Sequence, residues 1–130
     1  MRALIIDDSR AMRRMLGNTI TELGFEFSEA ANGEEGLAEL EALESPPELI
    51  LVDWNMPRMD GLTFVKSARK RPEYSNCRIL MVTTEWDIER MTAAMEAGAD
   101  EYLMKPFEKE ALVDKIQMVG LTPPNGGAGA

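Results

Sequence analysis

The sequence predicts an α/β domain: a parallel sheet covered by helices on both faces. Short apolar runs alternate along the chain with segments whose apolar residues recur at helical spacing, the pattern of strand–helix units with parallel strands. Glycine, proline and asparagine fall between these segments as stops and turns. A chain of 130 residues, 45% hydrophobic and 28% charged, suits one domain able to bury a core.

Each element follows from its own pattern. ALIID over 3–7 predicts the first strand; Met12, Met15, Leu16, Ile20 and Leu23 predict the helix after it, with Gly24 as its stop. FEFSEA over 25–30 alternates as a second strand, and Asn32-Gly33 turns the chain into a helix carrying Leu37, Leu40 and Leu43. Ser45-Pro46-Pro47 breaks that helix ahead of Leu49, Ile50, Leu51 and Val52, an apolar strand that runs straight into Asp53. A third helix is expected from about Gly61 to Lys70, with Leu62 and Val65 inward. RILMVTT over 78–84 is the fourth strand, and Ile88, Met91 and Met95 mark a fourth helix that stops at Gly98. EYLMK over 101–105 is the fifth strand, and Leu112, Ile116 and Val119 mark the last helix. Most of the 10 methionines fall at core positions by this spacing, although Met91, Met95 and Met104 suit an adaptable binding surface as well. Residues 121–130, with TPPNGGAGA from Thr122, have nothing to bury and are expected to be a disordered tail or the start of a linker.

Composition excludes several functions. No window approaches the roughly 18 apolar residues of a membrane span, and no export signal opens the chain. The single cysteine, Cys77, permits no internal disulfide and reads as an inert, partly buried thiol; a reducing, cytoplasmic setting is expected. A net charge of −9 argues against direct nucleic-acid binding, which needs a basic face. The absence of histidine rules out Ser-His and Cys-His catalysis and imidazole metal sites. The cluster Lys66, Arg69, Lys70 and Arg71 reads as a solvated face or as a docking site for an acidic partner.

In open α/β sheets, ligand sites form beyond the carboxyl ends of the strands. Here those ends carry Asp7-Asp8, Asp53, Thr83-Thr84 and Lys105-Pro106, while the second strand ends in Ala30-Ala31. Taken singly, each residue has a plainer reading. Asp7-Asp8 can cap a helix, Thr83 is an ordinary β-branched strand residue, Lys105 a solvated charge, and Tyr102 a half-buried strand tyrosine. Their convergence is the signal. Two carboxylates about 4 Å apart repel by roughly 4 kcal/mol at an effective dielectric of about 20, so three in one cleft need more cation than Lys105 supplies. Oxygen ligands without Cys or His point to a hard divalent ion, Mg²⁺ before Ca²⁺. A metal held by carboxylates beside a lysine and a hydroxyl is equipment for phosphoryl transfer, with Asp53 as nucleophile.

Taken together, these residues resemble the receiver domains of two-component signalling, close to the single-domain chemotaxis regulators of the CheY type. The resemblance covers about residues 1–120 and rests on Asp7-Asp8, Asp53 in VDWNMP, the Pro57 to Gly61 loop, Thr83 in MVTTE, Tyr102 and Lys105-Pro106-Phe107. It implies the flavodoxin-like (βα)5 doubly wound fold with strand order 2-1-3-4-5. It also implies roles: Asp53 as phosphoacceptor, Asp7, Asp8, Asp53 and the Asn55 backbone carbonyl as Mg²⁺ ligands (Mn²⁺ substituting), and Lys105 and Thr83 contacting the phosphoryl group. Thr83 and Tyr102 would form the switch, Tyr102 swinging inward as the threonine moves, and the Lys105-Pro106 bond would be cis. Asn55 and Glu85 match chemotaxis-type choices at positions that tune hydrolysis, whereas Thr84, more often alanine or glycine, is expected to slow it. Trp86, large for its place, is an exposed partner contact or packs on the fourth helix.

The implied function is a phosphorylation-dependent switch. Its phosphoryl donor would be a phosphohistidine on a histidine kinase or histidine phosphotransfer protein. Its output would be protein contact through the fourth helix, fifth strand and fifth helix, with no nucleic acid and no membrane insertion. Such a protein catalyses its own phosphorylation and dephosphorylation and needs no external substrate. A phosphatase of the haloacid dehalogenase type fits less well, because it wants a second acid where Asn55 stands and there is no cap-sized insertion. The remaining readings are a phosphate-independent binding module and the receiver fragment of a longer regulator.

Overall fold

The computed structural model describes residues 1–125. Strands β1 (Arg2–Ile6), β2 (Glu26–Ala30), β3 (Leu49–Val52), β4 (Arg78–Thr83) and β5 (Glu101–Met104) alternate with helices α1 (Arg10–Glu22), α2 (Gly33–Ala42), α3 (Gly61–Arg69), α4 (Ile88–Ala97) and α5 (Lys109–Met118). All strand pairs are parallel, in the order β2-β1-β3-β4-β5. This is the flavodoxin-like fold that the sequence implied, with a 3₁₀ turn at Pro72–Tyr74 that its pattern did not reveal.

Strand periodicity builds two cores from one sheet. Leu4, Ile6, Ile50, Val52, Ile79 and Met81 point to one face and pack with Leu40 of α2, Phe64 of α3 and Ala94 of α4. Their neighbours Ala3, Ile5, Leu49, Leu51, Leu80 and Val82 point to the other and pack with Leu16 and Ile20 of α1 and Leu112 and Ile116 of α5. A strand buried on both faces cannot alternate, which is why β1, β3 and β4 read as unbroken apolar runs. Strand β2 lies at the sheet edge and is only partly buried, with Glu26 and Glu29 exposed; charges on an edge oppose pairing with another chain. The helices start where polar side chains satisfy their first amides: Ser9, Asn32, Asp60 and Asp87 accept from Met12, Glu35, Thr63 and Arg90.

Several expectations are corrected. Of the residues that marked the fourth helix only Met91 packs against the core: Ile88 is 79% and Met95 43% exposed, and Ala94 is the helix's buried residue. Met15 and Met118 are exposed as well, while Met91 and Met104 pack against the core. The basic cluster is not one solvated face. Arg69 donates to the carbonyls of Tyr74, Cys77 and Gly98 and pairs with Asp100 at 2.9 Å, clamping α3 to the segments around β4. Cys77 is fully enclosed, and burial pushes its thiol pKa up. Of the tail, Thr122 to Asn125 is placed: Pro123 is buried and the Asn125 amide donates to the Leu23 carbonyl at 2.8 Å. Residues 126–130 of the expected disordered segment lie outside the described residues.

Candidate functional site

The site is built by continuing the sheet one residue past its strands. The amide of Asp7 donates to Ala30, that of Asp53 to Ile6 and that of Lys105 to Thr83, at 3.1, 2.9 and 2.9 Å. These ladder bonds fix the backbone of Asp7, Asp53 and Lys105. By strand parity all three share the side of Ile5, Leu51 and Leu103, which faces α1 and α5. Thr83 and Tyr102 fall on the opposite parity, toward α4. The alternation that sorts the core therefore also separates the charged centre from the hydroxyl side.

Lys105 Nζ lies 2.7 Å from one oxygen of Asp7 and 3.3 Å from one of Asp53, with all three side chains largely withdrawn from solvent. The second oxygen of Asp7 accepts the Ser9 amide, and that of Asp53 accepts the Trp54 amide. Burial raises the Asp53 pKa most; the Lys105 charge opposes this, Asp7 adds to it, and the Thr83 hydroxyl and Trp54 amide pull it down, leaving a net rise. Asp8 is exposed at the rim, and ligand oxygens of Asp7, Asp8 and Asp53 all lie within 4.8 Å of one another. Three carboxylates beside one ammonium leave an excess of negative charge that a divalent cation balances, and the all-oxygen donor set fits Mg²⁺ or Mn²⁺.

The Lys105-Pro106 bond is cis. The loop after β3 is drawn tight over the site: Gly61 donates to the Trp54 carbonyl at 2.8 Å, and a Cβ at Gly61 would stand 2.0 Å from the Asp53 carbonyl oxygen. No side chain fits there. Farther along the loop, Arg58 takes a left-handed φ of 67°.

On the α4 side, Thr83 is buried and its hydroxyl accepts the Glu85 amide. Tyr102 is turned inward; its hydroxyl donates to the Glu85 carbonyl, and burial, with the nearby Asp87 and Glu85 charges, pushes its pKa up to about 12. Asn55 donates its side-chain amide to the Glu85 carboxylate, which also pairs with Arg90 at 3.1 Å. Thr84 is exposed, and so is Trp86, at 71%. Trp86 therefore does not pack on α4.

The structure thus brings Asp7, Asp53 and Lys105 together, places Asp8 at their rim, and sets Thr83, Tyr102, Asn55 and Glu85 alongside. Sequence reasoning named Gly61 as the end of a loop but not that the packing demands its lack of a side chain, and it missed Trp54 with Arg90, whose guanidinium lies 5.9 Å from the ring centroid. It also missed a groove of about 980 Å³ between α1 and β2, lined by Arg10, Arg13, Arg14 and Phe27 and containing none of the acidic cleft.

A doubly wound sheet with an acidic triad and a lysine at its carboxyl edge defines a receiver-type protein, and comparison with known proteins agrees. The profile of the response regulator receiver domain matches residues 3–117, and the chain belongs to that family. It is similar to the chemotaxis protein CheY1 of Helicobacter pylori, 38% identical over 120 residues that cover 92% of this chain and 96% of that one. The CheY homolog of Campylobacter jejuni is also 38% identical, with 92% of each chain covered. Among solved structures, the chemotaxis response regulator CheY4 of Vibrio cholerae superposes with a TM-score of 0.83 at 37% identity, covering 91% of this chain and 97% of that one.

Proposed function

We propose that this protein is a phosphorylation-dependent switch that takes a phosphoryl group onto Asp53 from a phosphohistidine of a histidine kinase or histidine phosphotransfer protein. The observation that carries it is the Lys105 bridge between Asp7 and Asp53, with a third carboxylate, Asp8, in reach. Asp53 Oδ attacks phosphorus, the P–N bond breaks, and its electron pair stays on the departing imidazole nitrogen. Asp7, Asp8, Asp53 and the Asn55 carbonyl would hold Mg²⁺, which neutralises charge on the phosphoryl oxygens when bound. Lys105 Nζ then turns from the carboxylates to a phosphoryl oxygen, and the Thr83 hydroxyl donates to another. Hydrolysis returns Asp53, with Asn55, Thr84 and Glu85 at the rim setting the approach of water.

The output is a change in the face formed by α4, β5 and α5, read by a protein partner. Tyr102 joins the site to that face through Glu85, and exposed Trp86 and Ile88 supply apolar contact area. The chemotaxis proteins at 38% identity favour a chemotaxis or phosphorelay role. The net charge of −9 argues against nucleic acid as the direct target. No described helix is long and apolar enough to cross a membrane, and we place the protein in the cytoplasm with its kinase.

Intact-mass analysis after incubation with acetyl phosphate, with and without Mg²⁺, tests the chemistry. A single phosphoryl adduct that requires both Mg²⁺ and Asp53, and is absent from Asp53→Asn, is expected. If wild type shows no adduct and beryllofluoride leaves tryptophan emission unchanged, the switch is wrong.

A further inference from the structure

Arg90 stands where a cation is ordinarily disfavoured. It is the third residue of α4, and the first turn of a helix presents the positive end of its dipole. Two carboxylates hold it there, Asp87 at 2.7 Å and Glu85 at 3.1 Å, while its guanidinium lies 5.9 Å from the ring centroid of Trp54. Trp54 is the residue next to Asp53, and it is 8% exposed. Glu85 is the junction: its carboxylate accepts from Asn55 across the cleft, and its carbonyl accepts from Tyr102. One guanidinium nitrogen meets both carboxylates while the guanidinium carbon lies over the aromatic ring; a lysine ammonium could reach the carboxylates but would not present a plane to the indole as well.

We infer that Arg90 is a positioning residue for dephosphorylation: it holds Glu85 against Asn55 across the mouth of the cleft, and this closed pair restricts water from the phosphoryl group on Asp53. The inference rests on the reading of Asp53 as phosphoacceptor. Released from Arg90, the Glu85 carboxylate is left beside Asp87 without the cation they share, held only by Asn55, and it relaxes outward, opening the mouth.

The test uses Trp86→Phe protein, so that Trp54 is the one indole left. Each variant is phosphorylated with acetyl phosphate and Mg²⁺, freed of donor, and followed by intact mass. Arg90→Met is expected to lose its phosphoryl group about five-fold faster, the size of effect that a coupled neighbour produces. Arg90→Lys should fall between Arg90→Met and the parent, and Arg90→Met added to Glu85→Gln should give no further acceleration. Without phosphate or metal, Trp54 emission should shift in Arg90→Met, because the cation has left the ring. Parental decay in Arg90→Met, undiminished acceleration on Glu85→Gln, or unshifted emission each overturns the inference alone. If the parent takes up no phosphoryl group, the phosphoacceptor reading fails first and the inference falls with it.

Discussion

At Asp53 and Lys105 the requirements of function and of stability oppose each other. Burial and the Asp7 charge raise the Asp53 pKa more than Lys105 and its hydrogen bonds lower it. A carboxyl whose folded pKa lies above its unfolded value binds more protons in the native state, so stability falls as pH rises from about 3.8 through the folded pKa. The cost is fully present at neutral pH. Asp53→Asn removes it, and thermal melts at pH 7 without Mg²⁺ should show this variant more stable by about 1 kcal/mol, a gain that vanishes as pH drops below the model-compound range. A constant gain across that range would mean that charge is not its origin. Lys105→Met does the reverse. It leaves Asp7 and Asp53 facing each other unpaired, and the expected loss is about 2–4 kcal/mol. Millimolar Mg²⁺ should restore part of that loss in Lys105→Met but not in Lys105→Met with Asp53→Asn, because a ligand stabilises only the state that binds it. Equal restoration in both proteins would place the cation elsewhere.

The loop between β3 and α3 shows why some of the site was legible in the sequence and some was not. Asp7, Asp53, Thr83 and Lys105 were legible because each follows an apolar strand, and a parallel sheet gathers its strand ends on one edge. Gly61 was legible as a loop end and helix start, but its need to lack a side chain was not, because that need is a distance to the Asp53 carbonyl that no local pattern records. Gly61→Ala adds a methyl where the Asp53 carbonyl already stands. Backbone cannot give as a side-chain end does, so denaturant unfolding should report a loss of about 2–3 kcal/mol, and Mg²⁺ affinity should weaken with the displaced Asp53. An unchanged midpoint and unchanged Mg²⁺ titration would show that the loop moves freely. The same distinction accounts for the fourth helix. Helical spacing of Ile88, Met91 and Met95 identified a helix correctly, but spacing does not say which side meets the core, and the small Ala94 does so with Met91 where α4 approaches α3. Arg69 and the return of Asn125 to Leu23 depend on contacts between distant segments and leave no periodic trace.

Across the whole molecule, the two parities of the sheet divide the labour. The charged cluster of Asp7, Asp53 and Lys105 lies on the α1 and α5 side, and Thr83 and Tyr102 lie on the α4 side, where the proposed switch would move contacts. A ligand shifts an equilibrium by no more than its differential affinity for the two states. On the proposed reading, the phosphoryl group acts where the two sides meet, at Thr83, and through the hydrogen bonds that Glu85 makes with Thr83 and Tyr102. Hydrogen exchange can see this division, since amide protection reports local opening segment by segment. With beryllofluoride and Mg²⁺ bound, protection should rise in residues 84–90 and in β5, where the Glu85 junction is pinned. Amides of β1 and β3 inside the sheet, where exchange is expected to need global unfolding, should gain no more than the overall stabilisation from binding. A gain of the same size in every segment would describe a ligand that tightens the fold without choosing between conformations. Protection confined to residues 84–90 and β5 would instead describe a switch, and its loss in Tyr102→Ala would put the tyrosine on the path from Asp53 to the partner face.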